Sequence, residues 1–240
     1  MKIIAHRGDS ASFPENTPEG WAAAFDNGAY AIEGDIRLSK DGFCICAHDA
    51  DLRRLFDRPE RPEDLTLDEL LGLRNAAGGR VVELTDFLRH ARGNRAVLLD
   101  IKDETPVALE AIWTAIEQTV PAPQRPLVIA GCHTLDAVAF FAAKSETGIL
   151  AFIPNPDQAE AFFSAGASLI RLWERDVSSD RVAQLQALGV GVWVTAGGSG
   201  TGHEAGDTAP QNLAALISAG VSGVLVNDVA STSSILETAR

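Results

Sequence analysis

Residues 1–49 read MKIIAHRGDSASFPENTPEGWAAAFDNGAYAIEGDIRLSKDGFCICAHD. The apolar run at 2–5 has the length of a strand. Residues 17–27 carry Trp21, Ala24 and Phe25 on one side of a helix. A second strand covers 29–38. Ser39-Lys40-Asp41-Gly42 then forms a turn, because Asp-Gly tolerates the positive φ of a tight hairpin. Residues 43–47 return as a strand antiparallel to the one before. Polar groups punctuate this strand–helix–strand unit at fixed places. His6 and Arg7 directly follow the first strand. Glu33, Asp35 and Arg37 stand at i, i+2 and i+4 and therefore share one face. His48 follows the hairpin strand.

The same alternation continues along the chain. Strands are expected at 96–102, 127–130, 148–153, 167–173, 191–195 and 223–226. Helices are expected at 66–73, with Thr66 as N-cap and Glu69 three residues on, and at 85–91, 106–119, 134–144, 156–165, 179–188, 212–219 and 230–239. Residues 52–62 and the glycine-rich stretch 197–208 read as loops, and His90 as a surface residue of its helix. Of nine strands, setting aside 43–47 leaves eight, each followed by a helix. Eight βα units in ~250 residues predict an α/β fold, a parallel (β/α)8 TIM barrel with a small insertion after the second strand. The alternative is an open doubly wound sheet. That fold places a glycine-rich phosphate turn after its first strand, and HRGDSASFPEN is a poor version of one. No linker divides the chain. Residues 1–240 are expected to be a single domain, with an insertion at 43–79 on the top face.

Composition narrows the function. A net charge of −13 and a pI near 4.7 argue against nucleic acid, which requires Lys/Arg stripes. A local basic site for a single phosphate is compatible with that balance. No run approaches ~20 apolar residues, so no membrane span is expected. MKIIAHRG lacks the apolar core and cleavage site of a secretory leader. Cys44, Cys46 and Cys132 are odd in number and form no CxxC motif, and are read as buried reduced thiols of a cytoplasmic protein.

In a parallel barrel the functional groups sit at the C-terminal strand ends. His6, Arg7, Glu33, Asp35, His48, Asp100 and Lys102 would then meet at one mouth. Each has a bland alternative: a strand-end histidine is commonly a structural hydrogen-bond donor, and an ExD pair can be the exposed face of an edge strand. Their conjunction at consecutive strand ends favours chemistry. Buried charges need partners or metal. Three carboxylates, Glu33, Asp35 and Asp100, suit one hard divalent cation, Mg²⁺ or Ca²⁺. Two imidazoles can divide acid and base work, and Arg7 and Lys102 can hold a phosphate. Together they point to attack on a phosphodiester.

His6-Arg7-Gly8, Pro14-Glu15-Asn16-Thr17, Glu33-x-Asp35, Lys40-Asp41-Gly42 and His48-Asp49, in this order and spacing, resemble the glycerophosphodiester phosphodiesterase family. Asp100-Ile101-Lys102, Val192-Trp193-Val194-Thr195 and residues 220–228 extend the likeness more thinly. The resemblance implies hydrolysis of small glycerophosphodiesters to glycerol 3-phosphate and an alcohol. His6 and His48 would be the acid/base pair, Glu33, Asp35 and Asp100 the metal ligands, and Arg7 and Lys102 the phosphate contacts. It also implies that the substrate's own glycerol hydroxyl attacks phosphorus, giving a cyclic phosphate that water opens. Trp193 would wall the glycerol carbons, the alternative being a core tryptophan on a barrel strand.

Asp100 stands where most of the family carries glutamate. There the chain resembles the sphingomyelinase D-like phospholipases, so a lyase stopping at the cyclic phosphate is the alternative chemistry. Ala196 and Asn227 also depart from the usual pattern. The loop 197–208 is expected to cover the alcohol side of the site. Arg171 and Trp173 share a strand face, and with His133 and Glu174 they exceed what a bare glycerol needs. Arg171 is therefore read as a substrate contact suited to a bulkier or sugar-bearing diester.

Overall fold

The computed structural model describes residues 1–238. β1 (Lys2–Ala5) leads through His6–Asn16 into α1 (Pro18–Asp26). Thr17 caps this helix through its hydroxyl, and Pro18 supplies the fixed φ of a first helical turn. β2 (Ala31–Leu38) follows, then the hairpin strand β3 (Cys44–Cys46), paired antiparallel with Ile36–Leu38. A small subassembly comes next: α2 (Arg53–Phe56), a 3-10 turn at Pro62–Asp64, α3 (Leu67–Leu71), β4 (Val82–Glu83) and α4 (Leu84–Leu88). Thr66 and Glu69 close the expected capping box on α3. The four-residue α2 breaks what the sequence renders as a loop at 52–62, and the two-residue β4 is an element that the sequence does not mark. They form because Ile45, Leu52, Leu65, Leu70 and Val81 bury one another in a cluster of their own.

The remaining units alternate: β5 (Ala96–Ile101), α5 (Pro106–Thr119), β6 (Val128–Cys132), α6 (Leu135–Lys144), β7 (Gly148–Phe152), α7 (Ala159–Ala165), β8 (Leu169–Trp173), α8 (Ser179–Ala187), β9 (Gly191–Thr195), α9 (Pro210–Ser218), β10 (Gly223–Val226) and α10 (Val229–Thr238). The expected closing helix runs one residue further, to Ala239, which lies outside the described residues.

Eight strands, β1, β2 and β5–β10, pair in parallel round a closed circuit. β1 joins both β2 and β10, which removes every free edge of the barrel. β3 and β4 lie outside it, on the C-terminal end of β2. The side-chain period of two then sorts residues by face. Ile3 and Ala5 face the helices while Ile4 faces the lumen, and Val97 and Leu99 face outward while Ala96 and Leu98 face in. Buried on both faces, β5 (AVLLDI) runs apolar without alternation as far as Asp100.

Candidate active site

The lumen face sets up the mouth. From the lumen residue Ala31, a period of two carries Glu33 and Asp35 up β2. From Ala96 and Leu98 it carries Asp100 up β5, and Lys102 follows beyond the strand. Asp35 and Asp100 stand opposite one another in register. Glu33, Asp35 and Asp100 each offer an oxygen, all within 4.8 Å of one another.

Two cations lean on this cluster. Lys102 Nζ lies 2.7 Å from Asp100 Oδ2 and 3.0 Å from Asp35 Oδ1. Arg7 Nε lies 3.4 Å from Asp35 Oδ2, and the Arg7 backbone N–H donates to Glu33 Oε2 at 2.8 Å. Arg7 makes that bond because its backbone is left-handed, at φ 58°, a costly conformation for a non-glycine residue. Gly8 follows at φ 87°, where a Cβ would press on Gly20 and Trp21 at 3.0–3.2 Å. Asn16 Nδ2 fixes Asp35 with a further 3.0 Å bond.

Burial, then the charges of Asp35 and Asp100, push the Glu33 carboxyl well above its ordinary range. Burial acts on Asp100 in the same sense, yet hydrogen bonds from His133 Nε2 (2.7 Å) and Lys102 hold it well below that range. Glu33 Oε1 is buried with no hydrogen-bond partner. Three hard oxygen donors with one orphaned carboxylate oxygen among them fit a divalent cation.

The two histidines flank the mouth differently. His6 Nδ1 lies 2.8 Å from Asn227 Oδ1. Asn227 Nδ2 donates to Ala205 O and Asp207 Oδ1, which fixes the amide so that Oδ1 accepts from His6. The neutral His6 ring therefore carries its proton on Nδ1 and presents a bare Nε2. Burial and the neighbouring Arg7 lower its pKa. His48 instead donates from Nδ1 to the Asp49 carboxylate at 2.8 Å. Arg37, expected on the carboxylate face, turns its guanidinium to the His48 carbonyl at 2.9 and 3.1 Å and pins that loop. A cavity of about 520 Å³ opens beside His6, Arg7, His48, Arg54, Glu204 and Asn227. The loop 197–208 thus contributes a wall, through Glu204.

On the far side of the mouth, His133 stacks on Phe152 at 4.8 Å, and the Arg171 guanidinium lies over both Phe152 (4.9 Å) and Trp173 (4.2 Å). Trp193 is placed differently from the expected substrate wall. It is 1% exposed and packs in the lumen core. Its indole fills the space left by Gly223, where a Cβ would come within 2.7 Å, and meets Tyr30 edge-on. No open face of Trp193 remains for glycerol carbons. His90 is only half-exposed: it follows the end of α4, and its ring packs against Trp21 and Phe25.

A closed (β/α)8 barrel with an acidic cluster at its C-terminal mouth is the class that fold and site define. Within that class, residues 6–122 match the sequence model of the Glycerophosphoryl diester phosphodiesterase family. A glycerophosphodiester phosphodiesterase of Caldanaerobacter subterraneus subsp. tengcongensis is 32% identical over 114 residues, covering 45% of this chain and 46% of that protein. Mouse glycerophosphodiester phosphodiesterase 1 is 34% identical over 134 residues, covering 49% and 40%. The matched segment thus spans less than half the length of each of these relatives. In fold, a phosphodiesterase of Oleispira antarctica, solved with its product sn-glycerol-3-phosphate, superimposes with a TM-score of 0.82 at 19% identity, over 99% of this chain and 97% of that one. Among the described residues no helix is long and apolar enough to cross a membrane.

Proposed function

We propose that this chain is a divalent-metal-dependent phosphodiesterase that splits glycerophosphodiesters into glycerol 3-phosphate and an alcohol. The observation that carries the reading is the juxtaposition of Glu33, Asp35 and Asp100 within 4.8 Å, with Lys102 and Arg7 beside them. The three carboxylates would hold Mg²⁺ or Ca²⁺. When bound, the cation supplies positive charge against the phosphoryl oxygens. Arg7 and Lys102 hold the phosphate, Arg7 by its fork and Lys102 as a point charge. His6, with Nε2 free, takes the proton from the attacking hydroxyl, which is the glycerol's own. The bond from phosphorus to the alcohol oxygen breaks, and His48, oriented by its hydrogen bond to Asp49, returns a proton to that oxygen. Water then opens the resulting cyclic ester. The free, buried cysteines support a reducing, cytoplasmic setting.

Asp100 supports a second reading, a lyase that releases the cyclic phosphate. The test is a panel of glycerophosphocholine, -ethanolamine and -inositol with Mg²⁺ or Ca²⁺, followed by phosphorus NMR. Glycerol 3-phosphate, abolished by chelation and by His6→Ala, is the expected product. A persistent cyclic ester would transfer the assignment to the lyase, and no turnover of any diester would remove both.

A further inference from the structure

Arg171 is a cation without an anion. It is only 8% exposed, and among the described residues nothing accepts a hydrogen bond from its guanidinium. Nε and Nη1 are buried and unpartnered. Burial pushes its pKa down to about 10, and the charges of Asp100 and Asp176 only partly restore it. A desolvated, unpaired guanidinium is among the costliest groups a fold can keep, so its presence asks for a ligand.

Its position says which ligand. Arg171 shares the lumen parity of Leu169, which packs on the lumen core, and sits near the C-terminal end of β8. Two stacking steps, 4.9 Å to Phe152 and 4.8 Å from there to His133, link it to the histidine that bonds Asp100. Phe152 and Trp173 fix the plane of the guanidinium, which lowers the entropy lost when it grips a flat or tetrahedral oxyanion. Lys102 and Arg7 already serve the phosphodiester, and glycerol carries no charge.

Resting on the phosphodiesterase reading above, we propose that Arg171 binds a second anionic group, a carboxylate or phosphate, on the alcohol half of the substrate. The preferred substrates are then diesters bearing two separated negative groups.

The test pairs diesters that differ by one such group: glycerophosphoserine against glycerophosphoethanolamine, and the terminal phosphate ester of glycerophosphoglycerol against glycerophosphoglycerol. Wild type is expected to favour the more anionic member of one pair in kcat/KM. That pair identifies the group as carboxylate or phosphate. Arg171→Met is expected to cut this preference about ten- to a hundred-fold, mostly through KM, and Arg171→Lys to keep part of it. The thermal midpoint of Arg171→Met should stay level or rise, because an unpaired buried charge has gone. No preference in either pair, an equal loss on both members, or a fall in midpoint with the preference intact would overturn the proposal. If wild type cleaves none of the four, the phosphodiesterase reading itself fails, and this one with it.

Discussion

Replacing Glu33 by glutamine should make the metal-free protein more stable and the metal-bound protein less so. Glu33 Oε2 accepts from the Arg7 backbone, a bond that an amide oxygen preserves. Its other oxygen is unpartnered and faces a cluster in which Asp35 and Asp100 lie within 4.8 Å. At that distance, and at an effective dielectric of ~20, each like-charge pair costs about 3 kcal/mol. Lys102 and Arg7 offset much of it, so we expect a net gain of about 1–2 kcal/mol for the metal-free variant, a rise in Tm of roughly 2–8 °C. The balance reverses with metal. A cation at 100 times its Kd stabilises the wild type by about 2.7 kcal/mol, roughly 5–11 °C. The variant, one anionic ligand short, should gain under about 1 kcal/mol at the same concentration. Calorimetry at pH 7.5, after chelation and then with millimolar Mg²⁺ or Ca²⁺, reads both halves. Equal metal-induced shifts in the two proteins, or a metal-free variant less stable than wild type, would refute the reasoning.

Two further predictions concern histidines. Asn227→Ala removes the group that orients His6 and should lower kcat about 10- to 100-fold with a smaller change in KM. Asn227→Asp keeps the acceptor and adds a charge, which should move the acidic limb of the kcat/KM–pH profile upward; an unmoved limb would separate His6 from that proton transfer. His90→Phe should flatten the fall of stability with acid. Burial, then Arg92 and Arg95, depress the His90 pKa below 6.5, so the folded state binds fewer protons than the unfolded one. Its contribution is complete above pH 6.5 and declines below it. Denaturant titrations at pH 7.5 and 5 should show the larger drop in wild type, and equal drops would refute it.

The barrel is legible in the sequence because buried parallel strands announce themselves as short apolar runs. The carboxylates are legible because a period of two is enough to place Glu33 and Asp35 on one face. Pairing of Asp35 with Asp100 needs the register of β2 against β5, which no local pattern encodes, although the choice of a barrel implies a shared mouth. Asn227 escapes as the partner of His6 because 221 residues separate them. Trp193 misleads for a related reason. Strand parity says that it faces the lumen, but the lumen has a packed interior as well as an open mouth, and the residue that decides between them is Gly223 on the next strand. His90 reads as a surface residue of its helix because local periodicity does not show that the helix ends at Leu88, two residues before it.

The acidity of the chain and the anionic character of its proposed substrate are reconciled at the mouth by local charge. Three carboxylates against Arg7 and Lys102 leave one negative charge when all are ionised, which repels a diester. A divalent cation turns that remainder into one positive charge, which a single phosphodiester monoanion neutralises. On the proposed metal-dependent reading, the cation would serve as a condition for substrate entry as well as an aid to the reaction, and substrate affinity should follow metal occupancy. Arg171 stands outside this balance, beyond His133 and Phe152, and its charge remains uncancelled when the phosphodiester is bound. An enzyme for uncharged or cationic alcohols would gain from having an apolar residue there, since the cation costs stability and would repel a choline or ethanolamine head. The presence of arginine at that position is therefore itself an argument about the substrate.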